Sequence, residues 1–152
     1  MTTSAFEYHA PTSVSEAVQL LAQHGESAKL LAGGHSLVPL MKMRLAQPEV
    51  LIDLGKIEAM AYIREQGDGL AIGAMTTQTQ LETSDLVKSR APMLAEAAGM
   101  VADPQVRNVG TIGGSLAHAD PAGDLPAVVV ALGARLVTSS TGDHRTIEAD
   151  DF

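Results

Sequence analysis

Residues 30–36 read Leu30-Leu31-Ala32-Gly33-Gly34-His35-Ser36: an apolar run breaks into two glycines and then reaches a hydroxyl residue. The apolar run predicts a strand, and Ser36 stands where a short helix can begin. Glycines let main chain come close to a ligand and take up unusual dihedrals. Successive N–H groups in such a bend can form an anion nest, and a helix N-terminus adds partial positive charge. A diphosphate suits that geometry. The alternative is a tight turn that needs two glycines for its own sake.

Upstream, Phe6-Glu7-Tyr8 reads as a short strand and Pro11 breaks the chain. Ser13-Val14-Ser15-Glu16 has the form of a capping box, followed by Val14, Ala17, Val18 and Leu21 at helical spacing and Gly25 as the stop. Lys29 to Ala32 then forms a buried strand. Downstream, Ser36 to Met43 predicts a short helix with Pro39 near its first turn, and Val50 to Asp53 a further strand. The first lobe is thus β-α-β-(short α)-β over residues 1–56, and a second covers 57–152.

In the second lobe, Ala61–Arg64 and Leu70–Gly73 predict a hairpin whose signal is Asp68-Gly69. Thr76 and Thr77 cap a helix through Leu81, and 85–100 is helical with a break at Pro92. Beyond Gly110 comes a Gly-rich strand and loop. Asp124 serves as N-cap of a helix through Leu132, which Gly133 ends. Arg135–Ser139 and Thr146–Glu148 are strands around a turn at 141–143.

A second double glycine lies in Gly110-Thr111-Ile112-Gly113-Gly114-Ser115, where Thr111 and Ser115 can donate to phosphate or ribityl oxygens. Read alone, it is equally a sheet bend. Neither glycine run is G-x-G-x-x-G or a phosphate loop, which disfavours a simple Rossmann domain. In His118-Ala119-Asp120-Pro121-Ala122-Gly123-Asp124, the two carboxylates can accept from sugar hydroxyls. A metal is the rival ligand there, but no second His or Cys pair supports zinc. Arg107 reads as exposed rather than phosphate-facing, and His9, His24 and His144 as surface residues.

Composition narrows the chemistry further. The 152 residues carry a net charge of −8, with two Phe, two Tyr and no Trp. That argues against nucleic acid and anionic membranes as partners. Any phosphate-bearing ligand must be held by local donors against the overall field. With no cysteine, the chain has no disulfide, no thiolate nucleophile and no usual iron–sulfur ligand, which is compatible with the cytoplasm. No signal peptide is evident, and the best apolar run, Ala127 to Leu132, is far below spanning length.

Taken together, Ala32–Leu37, Ile72–Thr77, Asp103–Arg107, Gly110–Ser115 and Asp120–Pro126 resemble the FAD-binding medium subunits of the molybdenum hydroxylases, the carbon monoxide dehydrogenase and xanthine dehydrogenase group. The likeness runs from Phe6 to Phe152 and is nearest the carbon monoxide dehydrogenase branch.

The resemblance implies an α/β (α+β), two-lobed FAD-binding domain of the PCMH type. Its small N-terminal β-α-β lobe is joined to a larger lobe of mixed and antiparallel sheet with helices. Non-covalent FAD lies between the lobes, gripped by both glycine bends through main-chain amides. Ala32, Gly33, Gly34, His35 and Ser36 face its diphosphate, with Leu37 nearby. Thr111, Gly114 and Ser115 hold it from the second lobe, Asp120 and Asp124 take hydroxyls, and Val101 packs on the flavin side.

The resemblance also implies partners: a large subunit with the molybdenum cofactor and a small one with two [2Fe–2S] clusters. FAD passes their electrons to an external acceptor, so no side chain of this chain need be catalytic and none need bind metal. Family subunits continue for more than a hundred further residues, so the chain reads as shortened at its C-terminus. A non-catalytic nucleotide-binding or assembly module is the alternative, and a stand-alone flavin reductase or oxidase a third.

Overall fold

The computed structural model describes residues 2–152. The first lobe is a parallel sheet of β1 (Glu7–His9), β3 (Val50–Asp53) and β2 (Ala28–Leu31), with β3 in the middle. β3 is central because it is apolar on both faces: Val50, Leu51 and Ile52 are all buried. α1 (Val14–His24) covers one face and packs Ala17 against Ala28, Val50 and Ile52. Gly25, with φ +54, ends α1. α2 (Leu37–Lys42) joins β2 to β3, with Pro39 in its first turn as expected.

Two expectations for this lobe shift in detail. The Ser13 hydroxyl accepts from the Glu16 N–H at 3.2 Å, but the Glu16 carboxylate takes the Thr12 N–H at 2.9 Å instead of that of Ser13. β2 is also not a buried strand. Lys29 and Leu30 are exposed on an open cleft.

The second lobe is a helical cluster flanked by two hairpins. α3 (Gln78–Thr83), α4 (Asp85–Arg90), α5 (Pro92–Met100), α7 (Ile112–His118) and α8 (Asp124–Ala131) build one core from Leu81, Val87, Leu94, Ala98, Ile112, Leu125 and Val129. Short α6 (Pro104–Arg107) precedes α7. Thr77 caps α3 in a capping box with Gln80. The hairpins β4–β5 (Ile63–Gln66, Gly69–Ile72) and β6–β7 (Arg135–Ser139, His144–Glu148) remain separate two-stranded sheets.

Register places Gln66 opposite Gly69, so Gly67-Asp68 forms the β4–β5 turn and the expected Asp68-Gly69 does not. Gly67 sits at φ +58, the first central position of a glycine-led hairpin turn.

The largest departure follows Gly110, where the expected strand is helix α7. The Thr111 hydroxyl accepts the Gly114 N–H at 3.1 Å and caps it. Two glycines in a first turn oppose helix propensity, but packing requires the first of them. A Cβ on Gly113 would lie 2.5 Å from the Ala74 Cβ. At α8, Gly123 is the N-cap and Asp124 the first helical residue, where its charge still favours the helix start.

Candidate functional site

The two glycine loops meet where the lobes touch. An added Cβ on Gly33 would strike the Val109 carbonyl oxygen and lie 2.8 Å from the Gly110 Cα. One on Gly114 would stand 3.4 Å from the Ala32 Cβ. Gly34 holds φ +76, a region that L side chains rarely enter. Between the lobes opens a cleft of about 790 Å³, walled by both loops. A smaller cavity of about 450 Å³ shares Ala32, Met75 and Thr111 with it.

Ala32, Gly33, Gly34, His35, Ser36 and Leu37 line the cleft from the first lobe. Val101, Thr111, Gly114 and Ser115 face it from the second. Asp120 and Asp124 are exposed and do not line it. Asp120 instead accepts the Ala122 N–H at 2.9 Å, closing its own turn.

The two walls offer different donors. From Gly33 to Leu37, none of the five N–H groups donates to an acceptor among the described residues. The five N–H groups run up to the start of α2, and Gly34 at φ +76 gives the loop the left-handed residue that an anion nest uses. The first turn of α7 differs. Its Ile112, Gly113 and Ser115 N–H groups bond to Thr76, Ala74 and Thr111 carbonyls at 3.0, 2.9 and 3.0 Å, and Gly114 bonds to Thr111 Oγ1. That loop therefore presents hydroxyls, not amides, which corrects the expectation of a grip by amides from both bends.

Charge is partitioned as the ligand would require. The chain has 18 acidic residues, yet none lines the cleft, whose titratable residues are Lys29, His35 and His118. An anion inside meets only cationic or neutral groups, although the molecule as a whole is negative.

Arg107, expected to be exposed, is largely buried. Its side chain is 14% exposed, with Nε 3.0 Å from Glu82 Oε2 and Nη1 donating to the Val101 carbonyl at 3.0 Å. It ties α6 to α3 and fixes the Val101 segment at the cleft wall. His9 and His24 are half-buried, with ring centroids 5.6 Å apart, whereas His144 is exposed. Among the described residues no group of His, Cys, Asp and Glu is arranged to hold a metal.

Sequence reasoning missed Gln78, buried in the cleft wall, and the Val14–Leu21 face of α1, which helps to line the cleft. Helical spacing marked that face as apolar, but not that part of it borders a ligand space.

Opposed glycine loops, N–H groups with no acceptor among the described residues and a cleft without acidic residues suit a diphosphate-bearing ligand. Comparison with known proteins gives the family: residues 4–152 match the FAD binding domain in molybdopterin dehydrogenase, and the chain belongs to that family. It is 56% identical over 147 residues to the carbon monoxide dehydrogenase medium chain of Hydrogenophaga pseudoflava, covering 97% of this chain and 51% of that one. It is 45% identical to the nicotine 6-hydroxylase medium subunit of Paenarthrobacter nicotinovorans, over 97% of this chain and 52% of that one.

Among solved structures, reconstituted CO dehydrogenase from Oligotropha carboxidovorans superposes with a TM-score of 0.98 at 46% identity. That match covers 100% of this chain and 53% of the other. The α/β, two-lobed FAD-domain fold expected from sequence is therefore the fold observed. The chain spans about half the length of the curated relatives it matches.

Proposed function

We propose that this chain is the FAD-binding portion of a medium subunit in a carbon monoxide dehydrogenase-like molybdenum hydroxylase. FAD binds non-covalently in the cleft, its diphosphate against Gly33–Leu37 and the hydroxyls of Thr111 and Ser115. Ala32, Gly114 and Val101 contribute close walls. Residues 1–56 and 57–152 act as the two lobes that close on it. Asp120 and Asp124 take sugar-like hydroxyls of the part of the cofactor that leaves the cleft. When bound, the flavin supplies the carrier that links one- and two-electron chemistry.

The chain's own residues bind, orient and shield the cofactor, and none acts as acid, base or nucleophile. Electrons arrive from [2Fe–2S] clusters in a small partner subunit, after substrate oxidation at a molybdenum cofactor in a large one. They leave to an external acceptor. A chain without cysteine fits that division of labour. The proposed complex is cytoplasmic. No helix among the described residues is long and apolar enough to cross a membrane.

The observation that carries the reading is the row of unpartnered N–H groups at Gly33–Leu37, set across an acid-free cleft from Thr111 and Ser115. The test is to mix the purified chain with FAD, remove free cofactor and record the visible spectrum. A retained flavin band is expected, together with its loss when Gly33 and Gly34 are both changed to valine. Normal occupancy in that double variant contradicts the assignment. Co-purification with large and small subunits of the type described tests the partner assignment.

A further inference from the structure

Gln78 is the first residue of α3 and is 3% exposed. A buried primary amide is costly unless its polar atoms are matched, so its place in a cofactor cleft needs a reason. Its main-chain N–H donates to the Gly110 carbonyl at 3.0 Å, and its Nε2 lies 3.2 Å from Ser115 Oγ. Its Oε1 is buried with no donor among the described residues. That oxygen lies within clashing distance of where a Cβ on residue 110 would be, so a larger residue there would have to displace the amide.

This contact sets the orientation of the amide. A carbonyl oxygen tolerates a facing Cα–H, whereas an NH2 turned the same way would leave its donors against a C–H. Nε2 carries only donors, so Ser115 Oγ must be the acceptor in their bond. A serine hydroxyl has one proton, and here it is left to point away from Gln78. Thr111 repeats the logic: its Oγ1 accepts from the Gly114 N–H at 3.1 Å, which leaves its proton free too. Both hydroxyl residues line the cleft.

We propose that Gln78 is a positioning residue for the dinucleotide's diphosphate: by donating to Ser115 Oγ it commits the Ser115 proton to the ligand. The proposal rests on the FAD reading above and deepens it. In Gln78→Glu an ionised carboxylate has no proton to donate. It accepts the Ser115 proton itself and turns the hydroxyl away from the cleft. The protonated carboxyl can donate as the amide does. Gln78→Met keeps length without polarity.

The experiment titrates FAD into the full 152-residue chain across pH, with circular dichroism at each point to confirm folding. At neutral pH, Gln78→Glu should bind on the order of tenfold more weakly than wild type. It should recover as pH falls through the carboxyl's titration, while the Gln78→Met defect should not change with pH. Lys29, His35 and His118 act alike in every variant, so the wild-type profile is subtracted.

Ser115→Ala should lose a similar factor, and adding Gln78→Met to it should cost nothing more. That cycle decides the matter if Gln78→Glu does not fold. Wild-type affinity in Gln78→Glu at neutral pH, a pH-independent loss in it, or additive losses in the double variant would overturn the proposal. A wild type that ignores FAD defeats the proposed function instead. The same variants titrated with inorganic pyrophosphate then decide the role of Gln78, and a wild type that binds neither overturns both.

Discussion

The Val109 carbonyl oxygen sits on Gly33 at the spot where any other residue would carry its Cβ. The two lobes therefore touch main chain to main chain. Gly33→Ala must push them apart, because the obstructing atoms belong to backbone that cannot rotate away. The expected result is about 1–3 kcal/mol lower stability and FAD binding weakened more than any substitution at the cleft rim achieves. Urea unfolding and flavin titration measure both, and a wild-type result in each would show that the contact is dispensable.

Thr111 both caps α7 and lines the cleft. Thr111→Val keeps the shape but removes the cap, and should cost about 1 kcal/mol as well as flavin affinity. Thr111→Ser keeps the oxygen and should retain most of both. Thermal melts and FAD titration of the pair distinguish lost oxygen from lost packing.

Arg107 reaches the Glu82 carboxylate and the Val101 carbonyl together. Arg107→Met leaves Glu82 without its partner, and should destabilise by about 1–3 kcal/mol, a figure held down because the Glu82 side chain is 37% exposed. Lysine should restore only part, since a point charge cannot serve two acceptors as the guanidinium fork does. Denaturant midpoints of the two variants test the order.

Tyr8 donates to Asp53 Oδ2 at 2.5 Å. That hydrogen bond, some desolvation and the carboxylate's charge raise the phenol above its ordinary 10.0. The folded state thus prefers neutral tyrosine. The stabilisation is present below pH 10.0 and is lost as pH rises through the higher folded value. Tyr8→Phe should be less stable than wild type at neutral pH, and the gap should narrow in alkali. A gap unchanged from pH 8 to about 11 would contradict this.

The contrast between legible and hidden features has a physical pattern. The sheet strand Val50–Asp53, helix α1 and the loop at Gly33-Gly34 were readable because local chemistry decides them: an apolar run, a cap, or a backbone that excludes side chains. Helix α7 was not, since Gly113 and Gly114 argue against a helix locally and only Ala74, distant in sequence, explains Gly113. Arg107 hid for the same reason: its partner Glu82 is 25 residues away. Gln78 carries no local signal at all, because what buries it is the fold of Gly110 and Ser115 around it.

The bare-backbone joint at Gly33 and Val109 sets different tolerances for different kinds of sequence change. Replacements that add no atom at the joint itself leave the two backbones in place. The number of residues leading into each loop cannot change so easily, because a single insertion would slide one peptide past the other and misalign the joint. Lineages of this domain should therefore accumulate replacements near the seam while keeping its segment lengths constant.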